Sequence, residues 1–348
     1  MNVVQTRTLG VAGVQLECRN GEVEANLAHA ERFVARARDR GAQLILCPEF
    51  LAAGYVYDPS LWQAAEPQGG PTERWLRRMA IEHRVHIGAS YLEVSGDDFF
   101  NTFALLQPNG AVAGRVRKES LPGFEGWYFS SCPGSKVIET RIGRIGVGIC
   151  YDNYTARFLG QLRSEDADLL LMPHSGPCIG LSWFDALFRD SLREIARFYS
   201  RAFGIPTVMV NKASVTDSSS PIPVLPFVRL PFHFPGFSTI CDSDGGVRDA
   251  LGEGEGIVAA EVVLDPSRKR RPEEPVGHWS RPPKQLPRVA GAVFQAFELL
   301  ARAAYAISPA RRRAARSAAA RAVRPVGPHD FAPTAAARHG GVSPGRRG

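Results

Sequence analysis

Paired cysteines are missing from this sequence. Its six cysteines, at positions 18, 47, 132, 150, 178 and 241, form no Cys-x-x-Cys pair and do not alternate with histidine at the spacing of a zinc site. A disulfide framework is unnecessary too, because 348 residues of 44% hydrophobic composition suffice for a large core. No run of eighteen apolar residues occurs, so no membrane span is evident. The opening residues alternate small and apolar side chains like a strand rather than a secretory signal, and a reduced, cytoplasmic location is expected. Neither a collagen-like period nor an internal repeat is present, and no metal or other cofactor is expected.

Acidic residues all but vanish at the C-terminal end. From Pro309 to Gly348 there are nine arginines and one acid, Asp330, so this tail carries about all of the chain's formal +7. The basic balance therefore says little about what the rest of the chain binds. Nucleic acid is not an expected partner. Residues 309–348 are expected to form a basic, disordered tail, and its contact with a membrane surface is kept as an alternative.

The body alternates strand and helix. Strands are predicted at Thr8–Gln15, Gln43–Cys47, Val85–Glu93, Asn101–Gln107, Val112–Lys118, Lys136–Thr140, Arg144–Cys150, Asp168–Met172, Pro206–Asn211, Phe237–Cys241 and Gly256–Leu264. Helical spacing marks Glu22–Arg40, Thr72–His83 and Trp183–Ala202. Strand pairs interleaved with helices imply an α/β sandwich rather than a purely parallel doubly wound sheet. The stretch 217–235, with three serines and five prolines, reads as a long loop. One hydrolase-sized domain, 1–266, is expected, followed by an extension, 267–308. In it Val289–Ile307 places apolar residues on one helical face, the usual pattern of a helix packed on its own subunit or a dimer mate.

Three strand ends carry reactive side chains. Arg144-Ile-Gly-Val-Gly-Ile-Cys150-Tyr-Asp152 delivers a cysteine at the end of an apolar strand, although a lone buried thiol is more often structural. Leu44-Ile-Leu-Cys-Pro48-Glu49-Phe50 ends in a carboxylate whose strand is stopped by proline. Arg117-Lys118 closes another strand, and alone Lys118 reads as a solvated charge.

Together these segments resemble the nitrilase (carbon–nitrogen hydrolase) superfamily, in which a Glu–Lys–Cys set appears in this order. Ala167-Asp-Leu-Leu-Leu-Met-Pro173, Ser200-Arg-Ala202 through Asn211, Phe237-Ser-Thr-Ile and Gly256-Ile-Val-Ala-Ala-Glu261 resemble further family segments, so the likeness spans about residues 6–265. The resemblance implies an αββα sandwich, a homodimer or higher homo-oligomer, and catalytic residues Glu49, Lys118 and Cys150. Phe124-Glu125-Gly-Trp127-Tyr128 resembles the loop that supplies amidase-type members with a second glutamate, adding Glu125. Aspartate two residues after the cysteine looks amide-directed, whereas Asn153-Tyr-Thr-Ala-Arg157 departs from the Arg…Pro-Glu continuation of many members.

The chemistry so implied is hydrolysis of a linear amide through a thioester on Cys150. Glu49 would act as base, Lys118 and the Tyr151 N–H as oxyanion donors, and Glu125 as the group that orients amine or water. Tyr55, Trp127, Tyr151 and His174 are candidates for the substrate pocket. A small amide or carbamoyl compound is the expected substrate. An N-carbamoyl amine or acid is the next alternative and a nitrile the third. A ligand- or partner-binding pseudoenzyme is the non-catalytic alternative, against which the intact Glu49, Lys118, Glu125 and Cys150 argue.

Overall fold

A computed structural model of the chain describes residues 6–216, 218–273 and 288–322. The first half runs β1 (Arg7–Gln15), α1 (Val23–Asp39), β2 (Leu44–Leu46), α2 (Pro71–His83), β3 (His86–Ser95), β4 (Asp98–Leu106) and β5 (Val112–Arg117). The second runs β6 (Val137–Thr140), β7 (Gly143–Val147), α3 (Ala156–Glu165), β8 (Leu169–Pro173), α4 (Ser182–Phe203), β9 (Thr207–Val210), β10 (Ser218–Ile222), β11 (Leu225–Phe232), β12 (Thr239–Cys241), β13 (Val247–Ala250) and β14 (Gly256–Leu264). Two further helices follow, α5 (Arg288–Ile307) and α6 (Pro309–Ala322).

The strands form two six-stranded sheets, ordered β14-β1-β2-β3-β4-β5 and β13-β12-β9-β8-β7-β6. Side-chain alternation explains why they stack. Leu9 and Val11 on β1 join Leu169 and Leu171 on β8 in the apolar layer between sheets, while Ala12 and Val14 face α1 and α2 on the other side. Gly13 lies where the sheets meet: a β-carbon there would drive into Val210 and Val258. On the outer face of the second sheet, Phe158 and Leu162 of α3 and Leu192, Ile195 and Tyr199 of α4 cover Leu170 and Met172. The result is the expected αββα sandwich.

Local chemistry sets the helix boundaries. The Thr155 hydroxyl accepts from the Phe158 N–H and opens α3, while Gly204, left-handed at φ 65°, closes α4. Pro71 begins α2, where a missing N–H costs nothing.

Two expectations are corrected. Segment 217–235 is not a structureless loop, since β10 and β11 pair antiparallel within it, Ser218 opposite Phe232. Prolines pointed to a loop because they cannot sit in a central strand; a two-stranded ribbon has only edges and tolerates them. Nor is all of 309–348 disordered. Residues 309–322 form α6, whose Ala315 and Ala318 bury into an apolar cluster containing Trp62 and Phe99. Its arginines meet acids of the β3–β4 turn, Arg311 with Asp98 and Arg316 with Asp97 at 3.3 Å. Residues 323–348 of that tail lie outside the described residues. Helix α5 packs on the Glu125–Trp127 turn, with Ala301 against Gly126, and its Tyr305 hydroxyl accepts from the Phe99 N–H at 2.9 Å. Among the described residues no helix is long and apolar enough to cross a membrane.

Candidate active site

Four chain segments converge beyond the strand ends. Glu49 follows β2 and is aimed inward by a chain that turns at once: Phe50 has φ 48°, and the Glu49 carbonyl accepts from the Ser175 hydroxyl at 2.7 Å. Lys118 follows β5, tied by its N–H to the Asn101 carbonyl at 2.8 Å. Glu125 begins a one-turn 3-10 helix, Glu125–Trp127. Cys150 begins another, Cys150–Tyr154, at φ 50°, a left-handed conformation that is uncommon for a side-chain-bearing residue.

The turn at Cys150 is held open by Asn153. Its side-chain amide donates to the Gly148 carbonyl at 2.8 Å and the Cys150 carbonyl at 3.0 Å, and only glycine at 148 leaves room for it. Asn153 is also the residue at which the sequence leaves the Arg…Pro-Glu pattern. The Asp152 carboxylate accepts the Ser120 N–H at 2.8 Å, locking the cysteine turn to the chain just after Lys118.

Charge is concentrated and dry. The Lys118 ammonium donates to Glu49 Oε1 and to Glu125 Oε1, each at 2.8 Å, with all three side chains fully buried. Asn101 Nδ2 donates to Glu49 at 2.7 Å, and the Tyr55 hydroxyl donates to Glu125 at 2.6 Å. Burial alone would lower the Lys118 pKa; Glu125 and Glu49 outweigh it and hold the amine firmly protonated. Burial pushes Glu125 up to about 7, assisted by Glu49 and opposed by Lys118. Burial likewise raises the Cys150 thiol well above its usual range; Glu49 and Glu125 add to this, against Lys118 and the Ser175 N–H. The resting sulfur is a protonated thiol, and the lysine-held Glu49 side chain is the neighbour that acts on it most strongly after burial itself.

Cys150 opens onto a cavity of about 220 Å³, which Tyr55 and Tyr151 also line. Trp127 and His174 are not among the lining residues. Trp127 sits behind Phe124, ring centroids 5.6 Å apart. His174 is fully buried beneath the cysteine turn, its Nε2 3.0 Å from Asn153 Nδ2, and burial with the Lys118 charge depresses it to about 3. Among the described residues, no cluster of three His, Cys, Asp or Glu is arranged to hold a metal ion. Sequence reasoning missed Asn101 and Asn153, whose signal was only their place beside a strand end or nucleophile. It also missed most of the cavity wall, which carries no motif.

A model of the carbon-nitrogen hydrolase family matches residues 10–271. The chain belongs to the carbon–nitrogen hydrolase family. This hydrolase is 28% identical over 280 residues to an N-carbamoylputrescine amidase of Solanum tuberosum, covering 77% of the chain and 90% of that protein. It is 30% identical over 215 residues to a citrullinase of Francisella tularensis, covering 58% and 73%. Its fold matches a crystal structure of a carbon-nitrogen hydrolase from Helicobacter pylori with a TM-score of 0.66 at 19% identity, over 74% and 89% of the two chains. The carbon–nitrogen hydrolase reading of the strand-end motifs thus holds for the family and for the sandwich.

Proposed function

We propose that this enzyme hydrolyses a linear amide through a thioester on Cys150. The observation that carries the proposal is the dry Glu49–Lys118–Glu125 cluster beside a thiol that burial keeps protonated. Such a sulfur needs a base at the moment of attack, and Glu49 is the carboxylate that acts most strongly on it.

In acylation the sulfur attacks the amide carbon while Glu49 takes the thiol proton. The oxygen of the tetrahedral intermediate is met by the Lys118 ammonium and the Tyr151 N–H. The proton passes from Glu49 to the departing nitrogen, the C–N bond breaks, and ammonia or an amine leaves. Water then attacks the thioester with Glu49 as base; the C–S bond breaks, the proton on Glu49 returns to sulfur, and the product departs as the carboxylic acid, which ionises in solvent. Glu125, fixed by Tyr55 and Lys118, orients the leaving nitrogen and afterwards the water. A carbamoyl compound is the second reading, supported by the names of the potato and Francisella relatives, and it needs the same steps at a carbamoyl carbon.

Cys150→Ala is expected to abolish ammonia release from short amides and carbamoyl compounds while leaving the circular dichroism spectrum and thermal midpoint close to wild type. Retention of wild-type hydrolysis by this variant would refute the proposal.

A further inference from the structure

Beyond Cys150 and Tyr151, the wall of the cavity comes largely from elements that none of the three strand-end motifs contains. Phe188 comes from α4, Leu230 and Phe232 from β11, and Phe297 from α5, and these join Tyr57 and Phe124 around the opening. The rings brace one another: Tyr57 and Phe232 centroids are 5.5 Å apart, and Phe124 and Phe297 centroids 5.3 Å. No charged side chain is among the described lining residues. Both carboxylates of the catalytic cluster are already engaged by Lys118, out of contact with solvent. Glu298, next to Phe297 on α5, acts on the Tyr151 phenol but is not among the residues lining the cavity.

From this we infer that the substrate amide carries an uncharged, apolar acyl group of about benzyl size, lodged in the aromatic chamber that α5 closes with Phe297. The inference rests on the amide-hydrolase reading above. Size supports it: an apolar cavity of about 150 Å³ can hold benzene, and this one measures about 220 Å³. Chemistry supports it further. An ammonium or carboxylate in the chamber would lose its hydration and meet no opposite charge on the lining, whereas a phenyl or alkyl group gains from leaving water. The helix that completes the wall lies beyond the region matched to the family, so this part of the selectivity rests on the C-terminal extension rather than on the family core.

The test is a comparison of kcat/KM for four primary amides with the full chain. Hexanamide and 5-aminopentanamide have the same length and differ in a terminal methyl against an ammonium. Phenylacetamide and acetamide differ by the ring. Hexanamide is expected to exceed 5-aminopentanamide by about a hundredfold, and phenylacetamide to exceed acetamide by about tenfold or more. Phe297→Ala is expected to shrink the phenylacetamide-to-acetamide ratio several-fold, and an unchanged ratio would remove α5 from the wall. Equal or inverted ratios in the wild type overturn the inference, and a preference for the ammonium would reassign the rings to cation binding. The same four amides are scored for protection of Cys150 against iodoacetamide, read by peptide mass. Absent turnover with apolar-selective protection sinks the hydrolase reading and leaves the chamber's selectivity standing. Unselective protection overturns the inference whether or not turnover occurs.

Discussion

A thiol removed from water resists ionisation, and at Cys150 two glutamates reinforce that resistance while one lysine opposes it. In the proposed mechanism the cluster holds its reactivity as a proton transfer rather than as a standing thiolate, which limits side reactions of the resting sulfur. The residues beneath it work by position. His174, fully buried and held neutral, contacts the Asn153 amide that in turn holds the Cys150 turn. Its depression to about 3 has a signed consequence. Between pH 6.5 and about 3 the unfolded chain binds a proton at His174 that the native state refuses, so native stability falls as pH falls through this window. Two units below 6.5 the loss is about 2 to 3 kcal/mol. His174→Gln is expected to remove this component. The wild-type minus variant difference in urea unfolding free energy, measured from pH 7.5 to pH 4.5, should shrink by that amount on acidification. A difference independent of pH would show that the imidazole does not titrate as the structure requires.

Among elements, the C-terminal pair α5–α6 departs furthest from what composition suggests. Nine arginines in forty residues read as a solvated, unfolded tail, yet α6 turns small alanines inward and spends Arg311 and Arg316 on Asp98 and Asp97. Arg311 lies over the Tyr305 ring at 4.3 Å, so α6 also braces α5, the helix that supplies Phe297. A chain ending at Ser308 is expected to unfold about 5 °C or more below the full chain, because Trp62 and Phe99 lose their cover. Differential scanning calorimetry checks this, and an unchanged midpoint would mean that α6 contributes no packing. The β10–β11 ribbon shows the opposite behaviour. Its outward face leaves Phe227 81% exposed, while Leu230 and Phe232 turn in to the cavity.

For the molecule as a whole, the close approach of the two sheets places the strand ends together. Gly13 in β1 packs directly against Val210 of β9, the strand that leads into Asn211, and the Asn211 side chain accepts the Gly176 N–H at 2.8 Å beside the cavity. Gly13→Val is therefore expected to push the sheets apart and to cost about 2 kcal/mol or more of stability, measured by urea denaturation. Because β2 and β9 both end near the site, the same variant should also lower turnover per folded molecule. Wild-type stability in this variant would contradict the tight inter-sheet contact.

Glu49, Lys118 and Cys150 were legible in the sequence as a set rather than singly: each lies just past a strand, a local signal that places it, but only the order of the three motifs, through the family resemblance, marked them as candidates together. The α/β sandwich class followed from the alternation of strands and helices, and its αββα layering from the resemblance. Asn101, Asn153 and the aromatic wall were not legible. Asn101 meets Glu49 across 52 positions, and the wall brings Tyr57 beside Phe232 and Phe124 beside Phe297. Apolar side chains carry no address for one another, since the force that buries them is non-directional. Only the stacking of sheets and the docking of α5 decided which of them would face the sulfur.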